Sequence, residues 1–210
     1  MGPTRTTASK TRPTRMTGAE RKRQIVMVTL DLVATHGVPG TTTARIASAA
    51  GVSEKTLYKH FASRKEMLLA ALEVAFDRAN HALFARRETG AIERLRAVGR
   101  AHWASVLSEQ DGFVYPLYEF VAAPPEAGLR ERIRVRQLAS VEALARTVEQ
   151  GKVEGTIRPD ADSEQIAWEL MSVYMSEDLS FLMGVEEFAN AGRSTAMLER
   201  ILRDISVDSA

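Results

Sequence analysis

The sequence predicts an all-α protein, in which an N-terminal three-helix domain with a helix-turn-helix is joined to a larger helical domain. Apolar residues recur at helical spacing from residue 19 onward, and Gly or Pro separates the resulting segments. No segment shows the alternation of a half-buried strand. At 210 residues, 45% of them hydrophobic, the chain can bury a substantial core.

The first three helices are predicted from an apolar face and from capping residues. Gly37 is placed to end helix one in a left-handed conformation. Thr42 or Thr43 would cap a short second helix that stops at Gly51, and Ser53 would cap a third. The apolar face of helix one consists of Ile25, Val28, Leu32 and Val33.

A long fourth helix follows, and further helical segments lie beyond it. Ser63 and Glu66 form an S-x-x-E capping box ahead of the apolar run that starts at Met67. Pro116 would either kink its helix, leaving room for a ligand, or lie at the helix start. The later segments are predicted at 91–109, 113–123, 126–151, 162–184 and 194–206.

Charge divides the chain into unlike parts. Residues 1–65 hold 12 basic and 3 acidic residues, a net charge of +9, whereas residues 66–210 hold 16 basic and 24 acidic residues, a net charge of −8. A basic end on an acidic body is typical of a polyanion-binding module, although a solvated basic tail would produce the same asymmetry. We expect a disordered basic arm at 1–18, a helix-turn-helix domain that binds DNA at 19–65, and a larger helical domain at 66–210.

Composition and motifs argue against several other classes of protein. The chain has no cysteine, so it can form neither disulfides nor thiolate metal sites. Its four histidines lack the H-x-x-x-H spacing, and there is no Gly-rich phosphate loop or G-x-S-x-G elbow, so no enzyme, metal or cofactor is predicted. No apolar run approaches the roughly 20 residues that span a bilayer. We therefore expect a cytoplasmic protein with no membrane segment.

The segment 41–61, TTTARIASAAGVSEKTLYKHF, carries the predicted function. Its small alanines let two short helices approach closely around Gly51. The third helix then presents lysines, hydroxyls and an aromatic ring outward, and such groups bind the phosphates and base edges of DNA. The start of helix two also suits a phosphate oxygen. The candidate DNA-binding residues are Thr41, Thr42, Thr43, Arg45, Ser53, Lys55, Thr56, Tyr58, Lys59 and His60.

The same segment fits a longer pattern at fixed spacing: G, three residues, T-T, then I-A, two residues, A-G-V-S, two residues, T-L-Y, one residue, H-F. With this pattern, residues 20–69 resemble the DNA-binding domain of the tetracycline-repressor (TetR) family of transcriptional regulators. Val38, Lys55 and Lys65 depart from what is usual in that family. The matching residues are Gly37, Thr41, Thr42, Ile46, Ala47, Ala50, Gly51, Val52, Ser53, Thr56, Leu57, Tyr58, His60 and Phe61.

The resemblance implies a sequence-specific DNA-binding regulator, by family default a repressor that a small molecule releases from a palindromic operator. Phosphate contacts are implied for Thr42, Tyr58 and His60. Base contacts would come from Lys55, Thr56 or Lys59 on the third helix. The residues also leave a second class open: a helical small-molecule-binding protein whose basic N-terminal region is incidental to its function.

The resemblance further implies that the second domain binds a small ligand and forms a homodimer. We expect the dimer to form through residues 162–206, where two apolar helical segments from each copy would close a four-helix bundle, although both faces are also compatible with intramolecular core. Clustered aromatic residues favour a small hydrophobic or aromatic ligand, although ordinary core explains any single one of them better. The candidate ligand-binding residues are Trp103, Phe113, Tyr115, Tyr118, Phe120, Trp168, Tyr174 and Phe181.

Overall fold

The computed structural model describes residues 16–84, 90–108, 113–124, 128–185 and 187–207, and every regular element in these ranges is a helix. The helices are α1 (Gly18–Gly40), α2 (Thr43–Ala49), α3 (Glu54–Leu57), α4 (Arg64–Phe84), α5 (Ala91–Val106), α6 (Val114–Ala122), α7 (Leu129–Val153), α8 (Ser163–Leu182), α9 (Glu187–Asn190) and α10 (Arg193–Ile205). The predicted all-α fold is confirmed.

Helix α1 begins with a capping box and changes direction near its end. The Thr17 hydroxyl accepts from the Glu20 backbone N–H at 3.2 Å, and the Glu20 carboxylate accepts from the Thr17 N–H at 2.7 Å. Gly37 has a φ of +67°, a left-handed conformation that a side chain disfavours. It marks a kink instead of the predicted end, because the helix resumes and continues to Gly40.

The predicted arm at 1–18 is shorter than expected. Residues 1–15 lie outside the described residues, and Gly18 already belongs to α1.

The capping box predicted for α4 is present in a modified form. The Ser63 hydroxyl accepts from the Glu66 N–H at 3.2 Å, as predicted. The Glu66 carboxylate accepts from the Ala62 N–H at 2.6 Å, one residue earlier than in the expected box.

The later helices lie within a few residues of their predicted bounds, with one omission. Helix α9 spans only four residues, too few to show a helical period, and the sequence did not predict it. Pro116 is the third residue of α6. A proline in the first turn removes no helical hydrogen bond, so the helix-start alternative holds and the predicted kink is wrong.

Two apolar cores hold the helices together. The first is built from α1 to α4 and includes Phe113, Leu117 and Phe120 from the region of α6. The second joins α5, α7, α8 and α10. Since α4 contributes Met67 and Phe76 to the first core, that core continues past the predicted domain boundary at residue 65.

All but one of the residues expected to form the dimer interface lie in the second core, and the exception, Met175, is 42% exposed. The others are buried by α5, α7 and the other terminal helices of their own chain, so for them the intramolecular alternative is correct. The residues concerned are Ile166, Ala167, Leu170, Met171, Val173, Leu198, Ile201, Leu202 and Ile205. Among the described helices, none is long and apolar enough to cross a membrane.

Candidate nucleic-acid interface and ligand cavity

The helix-turn-helix is held by a tight turn between α2 and α3. Gly51 has a φ of +64°, and a Cβ there would meet no atom within 4 Å, so the turn needs glycine for its backbone conformation alone. The Val52 N–H donates to the Ala47 carbonyl at 2.9 Å and closes the turn. Ile46 and Leu57 are fully buried and fix the two helices on α1 and α4.

The two predicted caps of these helices are confirmed. The Thr42 hydroxyl accepts from the Arg45 N–H at 3.3 Å, and the Ser53 hydroxyl accepts from the Thr56 N–H at 3.2 Å. Thr42 is therefore the cap of α2, and Thr43 is its first helical residue. Each cap satisfies one donor that the helix start would otherwise leave free.

The outer face of α3 and the residues after it carry the predicted DNA-binding chemistry. Lys55 and Lys59 are exposed, and Tyr58 is 50% exposed although it is aromatic. Thr56 and His60 are half-buried, and the Thr56 hydroxyl lies 2.9 Å from the Ser53 hydroxyl.

Thr41 does not belong to this surface, and the prediction that it contacts DNA is wrong. The residue is fully buried, and its hydroxyl donates to the Gly37 carbonyl at 2.8 Å. Its own carbonyl accepts from Arg64 Nε at 2.8 Å, and a second nitrogen of the same guanidinium donates to the Val38 carbonyl. Arg64 thus ties the kinked end of α1 to the start of α4, a role for which the sequence holds no signal.

Two further cations stand beside the helix-turn-helix. Arg45 is exposed, and its Nη1 donates to the Gly40 carbonyl at 3.0 Å, so its guanidinium is held at the end of α1. Lys22 Nζ lies 5.0 Å from the centroid of the Phe61 ring, within range of a cation–π contact. Lys22 was not among the candidates, because its position on α1 gives no sequence signal for proximity to α3.

The acidic half contains a cavity of about 100 Å³ between α4, α5, α6, α7 and α8. Val121 and Met175 are about half exposed and lie in its wall, so the cavity reaches the surface between α6 and α8. Its lining residues are Phe76, Ala79, Asn80, His102, Phe113, Leu117, Tyr118, Val121, Ile133, Gln137, Ser140, Met171, Tyr174, Met175 and Asp178.

Three of the eight candidate ligand-binding residues, Phe113, Tyr118 and Tyr174, line this cavity, and the other five do not. Tyr115 is 55% exposed and Trp168 is 38% exposed, since both lie on outward helix faces.

The remaining three candidates have other neighbours. Phe120 is buried in the first core, and Trp103 borders a separate cleft beside α10. The Phe181 ring meets the Tyr115 ring edge-on, with centroids 5.7 Å apart. The aromatic character of the eight candidates predicted one common site, but residues at different positions around their helices face different surfaces.

A polar cluster forms one part of the cavity wall and was not predicted. His102 Nδ1 lies 2.8 Å from a Glu177 carboxylate oxygen, and His102 Nε2 lies 3.4 Å from Asp178 Oδ1. The Tyr118 hydroxyl donates to Asp178 Oδ2 at 3.3 Å, and the imidazole stacks on Tyr174 with centroids 4.9 Å apart. Two adjacent acidic residues within the apolar run of α8 were the only sequence signal for this cluster.

Burial sets the ionisation of this cluster. It raises the pKa of Asp178 to about 6, against the opposing effects of the His102 charge and the Tyr118 hydrogen bond, while Glu177 raises it further. Burial, reinforced by Asp178, also raises the pKa of the Tyr118 hydroxyl, and burial with Glu177 does the same for Tyr174. Both tyrosines therefore stay neutral near neutral pH.

Comparisons with known proteins agree with this architecture. Residues 25–71 match the family model of the bacterial regulatory proteins of the tetR family. A TetR transcriptional regulator from Chloroflexus aurantiacus J-10-FL is 20% identical, with a TM-score of 0.78 over 90% of this chain and 98% of that one. A putative TetR-family regulator from a Rhodococcus species is 22% identical, with a TM-score of 0.75 over 87% and 99% of the two chains. No curated protein sequence matches the chain.

The fold and the exposed cationic face of α3 define a DNA-binding transcriptional regulator. The structural neighbours share the whole fold, and the family model covers the helix-turn-helix itself. Residues 25–71 therefore carry a DNA-binding domain of the tetR type, and the described chain has the fold of TetR-family regulators.

Proposed function

We propose that the protein is a cytoplasmic repressor that binds a palindromic operator as a homodimer and is released when a small molecule occupies the cavity. The observation that carries this proposal is the arrangement of α6, which lines the cavity and also packs on α1 of the helix-turn-helix domain. We propose a binding role and no catalytic one. The alternative, a ligand-binding protein with an incidental basic end, is less well supported, because the cations surround a complete helix-turn-helix.

The proposed DNA contacts divide into two kinds. Thr42, Tyr58 and His60 would contact phosphates, with Thr43, Arg45 and Ser53 beside them at the helix starts. Lys55 and Lys59, with the Thr56 methyl group, would face the bases in the major groove. Two copies related by a two-fold axis would place these helices about one turn of DNA, ~34 Å, apart.

The proposed dimer surface is the outward face of α8. Trp168, Met175, Leu179 and Met183 follow one another at helical spacing, and each is at least 38% exposed. Met197 of α10 is exposed as well. A second copy of the chain is the proposed partner, because a two-fold axis allows this stripe to pack against itself.

Introducing a charged residue into the stripe tests whether this surface forms the dimer. Leu179→Glu should convert the dimer to monomer in sedimentation equilibrium, since a carboxylate would be buried without a partner. Val135→Glu is the matched control, because Val135 is a comparably exposed apolar residue, 44% exposed, on α7 and is not part of the stripe. Equal masses for wild type and the Leu179 variant would contradict the proposed interface.

The proposed signal passes from the cavity to α1 through α6. Phe113, Leu117 and Tyr118 line the cavity, while Glu119 of the same helix lies against Gly37 at the kink of α1. A ligand that displaces α6 would therefore shift α1 and, through the shared core, α3. Ligand and operator would then favour different states, and each would weaken the binding of the other by the same factor.

DNA binding is the decisive experiment. Binding to random duplex DNA should fall with rising salt, with a slope of about −0.9 per phosphate neutralised. Lys59→Met should reduce the magnitude of that slope, whereas Arg146→Met, which removes an exposed charge from the part of α7 that packs in the second core, should leave it unchanged. If the wild-type protein binds no duplex even at low salt, the proposal fails and the ligand-binding alternative stands.

A further inference from the structure

Among the described residues, three buried polar atoms in the cavity wall have no hydrogen-bond partner. They are the Tyr174 hydroxyl, Gln137 Nε2 and Asp178 Oδ1, the last of which has only an ion-pair contact with His102 Nε2 at 3.4 Å. Tyr174 is 3% exposed and Asp178 is 6% exposed, so solvent does not readily satisfy them. Buried polar groups usually have partners, because leaving one unpaired costs free energy. The Tyr174 and Asp178 oxygens line one cavity, so a donor group of a ligand could bond both of them, whereas Gln137 Nε2 is itself a donor and needs an acceptor.

The charge of the cavity wall indicates whether the polar group of the ligand is positive or negative. The described lining contains no lysine or arginine, and its ionisable groups besides the tyrosines are His102 and Asp178. Glu177 stands behind them, 2.8 Å from His102 Nδ1, so two carboxylates share one imidazole. When both carboxylates are ionised, even a protonated His102 leaves one negative charge uncompensated. An anionic ligand would add to that imbalance, and a cation would remove it.

The apolar part of the wall suits the same kind of ligand. Phe76, Phe113, Tyr118 and Tyr174 supply aromatic rings, whose faces attract a cation as well as an apolar ring. The volume of about 100 Å³ limits the size of the ligand. An engineered apolar cavity of about 150 Å³ holds benzene, so a single ring with a short polar arm would require this cavity to expand by at least about half.

We infer that this cavity binds a small organic cation, a protonated amine attached to an apolar body about the size of one ring. The ammonium group donates hydrogen bonds to Asp178 Oδ1 and to the Tyr174 hydroxyl oxygen. The ring lies among the aromatic side chains of α4 and α6. This inference rests on the proposed function in that it identifies the cavity with the site of the releasing ligand.

Three probes of equal shape and different charge test it: benzylamine, benzyl alcohol and benzoate, measured by titration calorimetry on the full chain near neutral pH. Benzylamine should bind at least tenfold more tightly than benzyl alcohol, and benzoate more weakly than either. Asp178→Asn should bring the amine and the alcohol within about threefold of each other. Glu164→Gln is the matched control, because it removes an exposed carboxylate from the same helix and should preserve the tenfold preference.

The wild-type comparison decides the inference even if the Asp178 variant does not fold. It is overturned if benzyl alcohol or benzoate binds as tightly as benzylamine, or if none of the three shows saturable binding. Duplex DNA binding at low salt, measured on the same preparation, separates this result from the proposed function. DNA binding without a preference for the amine refutes only the ligand class, whereas the preference without DNA binding refutes only the regulatory role.

Discussion

Replacing Asp178 with Asn should change how the stability of the protein depends on pH. Asp178 is 6% exposed, and burial raises its pKa from 3.8 to about 6. The groups that face it are His102 on α5, Tyr118 on α6 and Glu177 on α8. Because the folded state holds the proton more tightly than the unfolded state, the protonated carboxyl favours folding. This contribution is fully present below about pH 3.8 and is lost as the pH rises through about 6.

The size of the effect follows from the pKa difference. Each pKa unit corresponds to about 1.4 kcal/mol, so the ionised carboxylate costs about 3 kcal/mol relative to the protonated form. Between about pH 7.5 and pH 5, the free energy of unfolding of the wild type should rise by about 1.4 kcal/mol relative to the Asn variant. Other carboxylates, such as Glu199 beside Arg96, have lowered pKa values and act in the opposite direction at lower pH.

Urea unfolding at fixed protein concentration, followed at several pH values for both proteins, measures this difference directly. Taking the difference cancels the groups that titrate alike in the two proteins. Glu164→Gln serves again as the control and should follow the wild type. A wild-type minus variant difference that stays constant from about pH 5 to pH 7.5 would refute the reasoning, since it would mean that Asp178 titrates alike in the folded and unfolded states.

Three other substitutions test the DNA-binding half. Gly37→Ala should lower the unfolding free energy by about 1–2 kcal/mol, because φ is +67° and the new methyl group would lie 2.8 Å from Glu119 Oε2; Gly18→Ala, which meets no atom within 4 Å, is the control in urea unfolding. Arg64→Met should cost about 1.5–3 kcal/mol by the same measurement, because two carbonyls of the α1 end lose a charged donor. An unchanged midpoint would show that water replaces the guanidinium. Tyr58→Phe should weaken binding to operator and random duplex alike, by about 0.5–1.5 kcal/mol in fluorescence anisotropy, and a loss confined to the operator would assign Tyr58 to base recognition instead.

Local signals made the N-terminal helices predictable from the sequence. Thr42 and Ser53 cap α2 and α3 through bonds to residues three positions away, and Gly51 adopts its left-handed conformation whatever lies around it. Such features depend on neighbours in the chain, which the sequence displays directly. The prediction for Thr41 was wrong because its burial comes from tertiary packing, and even the Arg64 side chain that donates to its carbonyl is 23 residues away.

In the second domain, the sequence predicts the helices but not which of their apolar residues are buried. Helical period indicates that α8 has apolar faces, but Leu170 and Leu179 are both apolar, and only packing against α5, α7 and α10 buries the first and exposes the second. The cavity likewise joins residues from five helices. His102 and Asp178 meet across 76 positions of chain, so no local pattern relates them.

The core shared by α1, α4 and α6 limits how such a protein can evolve. Leu117 both lines the cavity and belongs to the core in which Leu57 of α3 is buried. On the proposed function, a substitution in the cavity wall that admits a new ligand would also alter the core beneath the proposed DNA-binding surface. Exchanging the second domain of this chain for that of another protein should therefore require matching the face of α1 on which α6 packs.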